Sequence, residues 1–329
     1  MADGPDQFSA TDDDGANLGY PGAPGTNSTD DAAETTALTS NVTDTALIFE
    51  GGGMRGSYTA GAVTTLLGAG IHFDWVGGIS AGSSHTCNYI ARDAPRARRT
   101  FVEFAQDPQF GNLRTFARGQ GLFNAEYIYE KSGLPDASLP FNYSQFTRNP
   151  ARYKIGAFNA STGEHVYFSR QDLGSQQDLM VQVRASSSMP VLMPPVNYRG
   201  SVWVDGALGP TGGIAIDAAR ADGYTKFLVI LTRERSYIKQ PERFASIYRR
   251  QFRDHPAVVE ALDARPANYN RTREELYDLQ DSGQAMVFTP ENMPVSNGER
   301  RVARLQAAYA AGYLQAQREL PRWKEFLGM

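Results

Sequence analysis

Two short apolar segments, each followed by a glycine-rich turn and a helical pattern, constrain the fold of this chain most strongly. Residues 45–49 end at the glycine cluster 51–53, and residues 73–79 end at Ser80 and Gly82. The order strand, helix, strand, helix favours parallel pairing of the two strands. The sequence therefore predicts an α/β fold in which both turns lie at the same edge of a sheet.

The composition divides the chain into three parts. Residues 1–43 contain eight acidic residues and no Lys or Arg, and they have few large apolar side chains. Such a segment cannot bury enough surface to offset the entropy lost on ordering, so we predict a disordered tail. Residues 44–235 contain most of the apolar segments and are predicted to form the main domain. Residues 236–329 are predicted to be a mainly helical region packed on it.

Several further elements follow from local patterns. We predict a hairpin from residues 153–159 and 165–169, and strands at residues 202–204, 227–231 and 285–288. The last helix is predicted at residues 299–317.

Composition also excludes several classes of protein. The net charge is -4, and the chain after the acidic tail has a net charge of only +4, so we expect no nucleic-acid partner. The single cysteine, Cys87, excludes an intramolecular disulfide. No basic start followed by an apolar run is present, and no segment approaches the roughly 20 apolar residues of a membrane span. We therefore expect a soluble, cytoplasmic protein, at most peripheral to a membrane. The oligomeric state is left open.

The second turn contains a motif that is typical of serine hydrolases. Gly78, Ser80 and Gly82 form the pattern G-x-S-x-G where a strand passes to a helix. Glycines on both sides allow so tight a turn and let the hydroxyl group project. The motif predicts a nucleophile elbow, although a plain strand-to-helix turn is the alternative.

The first turn has the geometry of an anion-binding loop. It follows a strand and begins a helix, so its backbone N–H groups point toward a common ligand. We expect Gly52 and Gly53 to be the donors, and Arg55 either braces the loop or adds positive potential. The candidate residues of this loop are Gly51, Gly52, Gly53, Met54, Arg55 and Gly56.

The same loop also matches the dinucleotide-binding pattern G-x-G-x-x-G, with Asp74 at the distance of a ribose-binding acid. In that fold the acid ends the second strand. Here the apolar segment continues beyond Asp74 to the serine turn, which disfavours a dinucleotide site.

Two residues are candidates for the base that activates Ser80. His255 would give the chain order Ser, Asp, His of an α/β-hydrolase triad. Asp205 ends the apolar segment at residues 202–204 and is followed by Gly206, so it is expected at the carboxyl edge of a parallel sheet. A carboxylate can act as the base directly if it lies within hydrogen-bonding reach of the hydroxyl group.

Together these motifs resemble the patatin-like phospholipase family. The resemblance covers residues 45–235 and includes residues 184–196, an Ala-Ser-rich segment with prolines ahead of Asp205. It implies a three-layer α/β/α fold with a mostly parallel central sheet. The residues after 235 resemble a bacterial subgroup with an added C-terminal region. Residues 209–213 are richer in glycine than is usual after the aspartate, so this loop departs from the family pattern.

The resemblance also implies a chemistry. Ser80 would be the nucleophile and Asp205 the general base of a Ser–Asp dyad without histidine. The loop from Gly51 to Gly56 would be the oxyanion hole, and Gly206 would form the turn after the aspartate. No metal or organic cofactor is implied, and the substrate would be a lipid or another acyl ester.

Two further interpretations remain, namely contact with a membrane surface and lipid binding without hydrolysis. Arginines cluster in segments 92–99 and 243–253, with aromatic residues interleaved in the second segment, and they could contact an anionic membrane surface. Exposed helix faces with aromatic residues in the core are the commoner explanation of such a pattern. A lipid-binding protein without activity, built on the same scaffold, is the main functional alternative.

Overall fold

The computed structural model describes residues 38–111, 123–190, 192–241 and 245–329. The predicted tail up to residue 37 lies outside this range. The sequence predicted that ordered structure begins near residue 45, but the fold begins earlier. Val42 is only 3% exposed and pairs with Phe73, and the Asn41 N–H donates to the His72 carbonyl oxygen. The apolar side chain of Val42 favours this earlier start because it can be buried.

Eight strands form the central sheet of the described chain. They are β1 (Ala46–Phe49), β2 (Trp75–Ile79), β3 (Arg152–Asn159), β4 (His165–Phe168), β5 (Val196–Tyr198), β6 (Ser201–Asp205), β7 (Phe227–Ile230) and β8 (Ala285–Phe288). The order is β5-β6-β3-β2-β1-β7-β8, with β4 also paired to β3. The pairs that join β3, β2, β1, β7 and β8 are parallel, whereas β4, β5 and β6 pair antiparallel.

Helices cover both faces of the sheet. Those in the described chain are α1 (Gly56–Gly68), α2 (Ala81–Ile90), α3 (Ala94–Phe101), α4 (Tyr143–Arg148), α5 (Gln176–Ser187), α6 (Ile216–Ala221), α7 (Ala245–Gln251), α8 (Pro256–Asp281) and α9 (Val302–Leu327). Leu47 and Phe49 of β1 pack with residues of α1, α2, α5 and α9. Ala46 and Ile48 face the other way and pack with residues of α6 and α8. The predicted three-layer α/β/α architecture is therefore confirmed.

The apolar character of the strands explains why they lie at the centre. All four residues of β1 and all five residues of β2 are buried, as expected for parallel strands covered on both faces. The predicted hairpin corresponds to the antiparallel pair β3 and β4. The predicted strands near residues 202–204, 227–231 and 285–288 correspond to β6, β7 and β8.

The last helix is longer than predicted. It begins at Val302 and continues past residue 317, through Pro321, to Leu327. Proline inside a helix removes a hydrogen bond and costs about 3 kcal/mol. Trp323 is fully buried against Phe288, however, so packing of the last turns outweighs that cost.

Helix α9 also lies unusually close to α1. A Cβ atom at Gly312 would be 2.0 Å from the carbonyl oxygen of Tyr58, and one at Gly61 would be 2.2 Å from the backbone nitrogen of Tyr313. Only glycine allows such contact between helix backbones. The C-terminal part of the chain is thus packed directly on the helix that follows the first glycine-rich turn.

Candidate active site

Ser80 lies at the carboxyl edge of the parallel strands. It follows the last residue of β2 and precedes the first residue of α2. Its backbone has φ 57° and ψ −126°, a conformation that residues with a side chain rarely adopt. Strained backbone of this kind costs of order 1–3 kcal/mol and is concentrated at functional sites. The structure therefore contains the sharp turn that the G-x-S-x-G pattern predicts.

The glycines around Ser80 allow the backbones to approach closely. A Cβ atom at Gly78 would lie 2.2 Å from the Gly82 carbonyl oxygen, and one at Gly82 would lie 2.1 Å from the Phe49 carbonyl oxygen. Any side chain at either position would push α2 away from the ends of β1 and β2. The two glycines thus hold Ser80 beside the end of β1.

Asp205 reaches Ser80 through the pairing of β3. Gly156 pairs with both Ile79 and Tyr167, and the next residue, Ala157, pairs with both Val166 and Asp205. A strand has two edges, and β4 pairs with one edge of β3 along residues 155–158. The other edge of β3 therefore pairs with β2 along residues 152–156 and with β6 along residues 157–159. As a result, the end of β6 lies beside the end of β2.

This arrangement corrects one part of the sequence argument. Asp205 was expected at the carboxyl edge of a parallel sheet, but β6 is antiparallel to β3. The aspartate meets Ser80 because β6 approaches from the opposite direction. The turn after it is equally close-packed, since a Cβ atom at Gly206 would lie 2.2 Å from the Gly156 carbonyl oxygen.

The Asp205 carboxyl group is fully buried. Its Oδ1 accepts a hydrogen bond of 2.8 Å from the Ala207 N–H, whereas Oδ2 has no well-aligned partner among the described residues. Burial raises the pKa of Asp205 above its ordinary value of 3.8, and it outweighs the lowering by Arg265, by the Ala207 N–H and by the Ser80 hydroxyl. The site thus contains a carboxylate of increased basicity beside a serine hydroxyl.

The first glycine-rich turn has two N–H groups without an acceptor among the described residues, those of Gly52 and Gly53. Both line the same cavity as Ser80. The other four N–H groups of the turn are engaged: Gly51 donates to Gly213 at 3.4 Å, Met54 to Asn297 at 2.9 Å, Arg55 to Gly52 at 3.3 Å, and Gly56 to Gly53 and Met54. The loop therefore offers two donors to a ligand.

A buried network fixes the base of this loop. Glu50, which precedes the loop, accepts hydrogen bonds from the Tyr269 hydroxyl at 2.6 Å and from the Thr232 N–H. The Thr232 hydroxyl donates to the Gly51 carbonyl oxygen at 2.8 Å. Arg273 donates to the Tyr269 hydroxyl at 3.2 Å. Residues of α8 and of the segment after β7 thus hold the loop in position.

These groups open into a cavity of about 460 Å³. Part of its lining is apolar and belongs to one hydrophobic cluster, with Phe101, Phe110, Phe123, Ile128 and Met193. Tyr237 and Tyr269 also line the cavity but pack in a different cluster, near Arg55 and Arg233. The cavity has an apolar side and a polar, cationic side, and Ser80 lines the same space.

Comparison with known proteins identifies the family. The family model described as patatin-like phospholipase matches residues 47–216, which are more than half of the chain. The chain belongs to the patatin-like phospholipase family. This is a family of lipid acyl hydrolases, and the predicted resemblance is confirmed. A second model, a domain of unknown function (DUF6363), matches residues 255–328.

One relative from Escherichia coli and one solved structure show low sequence identity to the chain. The uncharacterized protein YjjU of Escherichia coli (strain K12) is 25% identical over 213 residues, which make up 62% of this chain and 56% of YjjU. The match thus covers little more than half the length of that relative. Among solved structures, the crystal structure of VipD from Legionella pneumophila matches with a TM-score of 0.47 and 11% identity, over 85% of this chain and 67% of VipD.

The histidines lie away from the cavity of this patatin-like chain. His255 precedes α8, and its Nδ1 lies 3.1 Å from the Ala160 carbonyl oxygen. His85 is fully buried, which lowers its pKa to about 3, and its Nε2 contacts Gly56 and Thr59. All four histidines lie in the described part of the chain and none lines the cavity: His72, His85, His165 and His255.

The dinucleotide alternative also loses its geometric basis. Asp74 precedes β2 at its amino end, whereas the glycine loop follows β1 at its carboxyl end. Because β1 and β2 are parallel, these two positions lie at opposite edges of the sheet. The Asp74 carboxylate instead accepts a hydrogen bond from the Tyr224 hydroxyl at 2.7 Å.

The arginine-rich segments mostly follow the commoner interpretation. Tyr248 and Phe252 are buried in a hydrophobic cluster, while Arg249 and Arg253 are exposed. Arg96 is buried and donates to backbone carbonyl groups and to Asn88. Within the described residues, no helix is both long enough and apolar enough to cross a membrane.

Sequence reasoning missed several residues of the cavity. Arg233, Tyr269 and Asn297 all follow the matched residues 47–216 and come from distant elements. Only Arg233 had a local signal, because it lies just beyond the carboxyl end of the predicted strand at residues 227–231. The other two enter the site only through tertiary packing.

Proposed function

We propose that the protein is a serine acyl hydrolase that cleaves fatty acyl esters through Ser80 and Asp205. The observation that supports this most is the meeting of β2 and β6 on one edge of β3. It brings a serine with left-handed backbone next to a buried carboxylate whose Oδ2 has no other well-aligned partner among the described residues. Family membership supports a lipid ester as the substrate.

In the first half of the reaction, Asp205 takes the proton of Ser80 while Oγ attacks the ester carbonyl carbon. The carbonyl oxygen becomes an oxyanion, for which the Gly52 and Gly53 N–H groups are free to donate. Collapse of this intermediate breaks the bond to the alcohol, which receives the proton from Asp205, and an acyl-enzyme remains.

In the second half, Asp205 takes a proton from water, and the resulting hydroxide attacks the acyl-enzyme. Collapse of the second intermediate releases the fatty acid and returns the proton to Ser80. The raised pKa of Asp205 favours this role, since a base is more effective as its pKa approaches the working pH. The scheme requires no metal or organic cofactor.

The decisive experiment is hydrolysis of p-nitrophenyl butyrate together with covalent labelling by a fluorophosphonate. We expect Ser80→Ala to lose labelling and at least about 1,000-fold in kcat/KM, because no other hydroxyl replaces the nucleophile. The exposed Ser144→Ala is the matched control and should keep both. Well-folded wild-type protein that neither reacts with the label nor hydrolyses the ester would instead support a lipid-binding protein.

A further inference from the structure

Three consecutive serines at the end of α5 contact both residues of the proposed dyad. The Ser186 hydroxyl accepts a hydrogen bond of 2.9 Å from the Ser80 N–H. The Ser188 carbonyl oxygen accepts one of 3.0 Å from the Asp205 N–H. Ser187 lies between these two contacts and is therefore fixed from both sides.

The Ser187 side chain differs from those of its two neighbours because it faces the cavity. Of the three serines, it alone lines the space that Ser80 and Asp205 also line. The residue is 4% exposed, and its Oγ has no well-aligned hydrogen-bond partner among the described residues. The Ser188 hydroxyl, by contrast, donates to the Arg184 carbonyl oxygen at 2.9 Å. Buried polar atoms are nearly always paired, so the Ser187 hydroxyl is suited to bind a ligand or a water molecule.

A tyrosine hydroxyl adds to the polar lining at this point. Tyr129 lies in the π-helical turn Tyr127–Lys131, which an ion pair of Glu130 joins to α5. Burial and the charge of Asp205 raise the pKa of Tyr129 to about 12, and the Ser187 hydroxyl lowers it. Tyr129 also lines the cavity, and at neutral pH it is protonated. One carboxylate and two hydroxyl groups therefore come together beside the proposed nucleophile.

This arrangement is suited to a water molecule that attacks an acyl-enzyme. Once Ser80 carries the acyl group, its Oγ has no proton to donate, so Asp205 Oδ2 can accept from water. Oδ1 stays bonded to the Ala207 N–H at 2.8 Å. A buried water molecule makes about three hydrogen bonds. It can donate one hydrogen to Oδ2 and the other to Ser187 Oγ, which leaves a lone pair for the acyl carbon.

We propose that Ser187, supported by Tyr129, positions the water molecule that hydrolyses the acyl-enzyme. The proposal rests on the proposed hydrolase function and assigns a positioning residue to its second half. The water oxygen bonds to the acyl carbonyl carbon while one proton passes to Asp205. The bond to Ser80 Oγ then breaks, and the same proton passes to Oγ. Ser187 forms no covalent bond and acts only on the orientation of the water.

The kinetic test is Ser187→Ala with p-nitrophenyl butyrate. Loss of the positioned water slows deacylation, whereas kcat/KM depends only on the steps up to the acyl-enzyme. We therefore expect kcat and KM to fall together by about 10- to 100-fold, with kcat/KM within about 2-fold of the wild-type value. A burst of about one p-nitrophenol per active site should precede the steady state. A fall in kcat/KM without a burst would show that Ser187 supports the geometry of the dyad instead and would overturn the proposal.

A second variant and two controls separate this role from a structural one. Tyr129→Phe should show the same pattern with a smaller fall in kcat, of about 3- to 10-fold. Tyr127→Phe, in the same helical turn, removes a 2.8 Å hydrogen bond to Asp107 outside the cavity and should keep both constants. Ser132→Ala removes a buried hydroxyl that does not line the cavity and should also keep them. A burst in these controls, or its absence from Ser187→Ala, would contradict the proposal.

Mass spectrometry separates failure of this proposal from failure of the hydrolase function. After mixing with p-nitrophenyl butyrate and quenching in acid, Ser187→Ala should carry more butyryl groups on Ser80 than wild-type protein. Fluorophosphonate should label both proteins at the same rate, since labelling needs no water. Wild-type hydrolysis with equal butyryl content and unchanged kcat in Ser187→Ala would refute the role of Ser187 alone. Absence of hydrolysis, butyryl groups and labelling from every protein would refute the hydrolase function and this role with it.

Discussion

The two parts of the chain that line the cavity differ in how well their polar groups are satisfied. Residues up to 216, here called the N-terminal wall, contain Ser80 with its strained backbone and the buried Asp205, whose Oδ2 has no well-aligned partner within the described chain. They also contain the two glycine N–H groups that have no acceptor among the described residues. An unsatisfied buried group costs about 1–3 kcal/mol, so the buried Asp205 makes this wall locally unfavourable for stability.

The residues after 216, here called the C-terminal wall, have the opposite character beneath the cavity surface. Thr232, Tyr269 and Arg273 are joined to Glu50 and Gly51 by hydrogen bonds between buried or partly buried groups. The comparison indicates that one wall contains the proposed reactive groups and that the other keeps them in place. Substitutions in the two walls should therefore affect activity and stability in different proportions.

The largest effect on activity without loss of stability is expected for Asp205→Asn. The amide can still accept from the Ala207 N–H but cannot take a proton, so kcat/KM should fall about 1,000- to 10,000-fold. Thermal unfolding should occur at the same or a higher temperature, because a buried neutral amide costs less than a buried carboxylate. A clear loss of stability would contradict the comparison of the two walls.

The pH profile tests the same residue in the unmodified protein. Protonation of the base removes activity, and a raised pKa moves this loss to higher pH. We therefore expect kcat/KM to fall, as the pH decreases, through a pKa above 3.8. His255→Ala should show the same profile and nearly full activity. If the acid limb disappears in His255→Ala while the fold is kept, a histidine is the base.

A smaller effect is expected for Gly52→Ala. The new Cβ atom would lie 2.7 Å from Thr232 Oγ1 and 3.0 Å from Thr232 Cβ, so the loop must shift. Displacement of one oxyanion donor typically lowers kcat about 100- to 1,000-fold. Gly68→Ala is the control, because its Cβ atom meets nothing within 4 Å. Unchanged kcat in Gly52→Ala would remove this N–H group from the proposed mechanism.

The smallest effect on rate should come from the C-terminal wall. Tyr269→Phe removes the 2.6 Å hydrogen bond to Glu50 and should destabilise the fold by about 1–3 kcal/mol. Because Tyr269 acts as a positioning residue, the substitution should lower kcat by about 10-fold with little change in KM. Tyr277→Phe is the matched control, since Tyr277 also accepts from Arg273 but makes no hydrogen bond to Glu50. Equal kcat in the two variants would show that the network serves stability alone.

The parts of the fold that the sequence predicted correctly are those that depend on short stretches of neighbouring residues. The buried strands and the turn at Ser80 depend on apolar runs and on glycines at fixed positions, whereas the three-layer architecture was implied by the family resemblance. Ends of elements were predicted less well, because tertiary contacts decide them. Val42 joins the fold early through its pairing with Phe73, and burial of Trp323 extends the last helix.

The roles of Ser80 and Asp205 remain predictions, although the geometry beside them could not have been derived from spacing. Their proximity depends on β6 running antiparallel along the same edge of β3 as β2. Tyr269 is separated from its partner Glu50 by 219 positions. No local pattern shows that such residues will meet, since only the completed fold brings α8 to the glycine loop.

The pairing of β8 with β7 has a consequence for expression of shortened forms. β8 comes from the C-terminal part of the chain, yet it forms four parallel register pairs with β7. A chain that stopped at residue 235 would leave the apolar β7 with a row of unpaired N–H and C=O groups. Exposed strand edges of that kind form hydrogen bonds with the strand edges of other molecules and so cause aggregation. The C-terminal part thus protects the rest of the molecule from self-association.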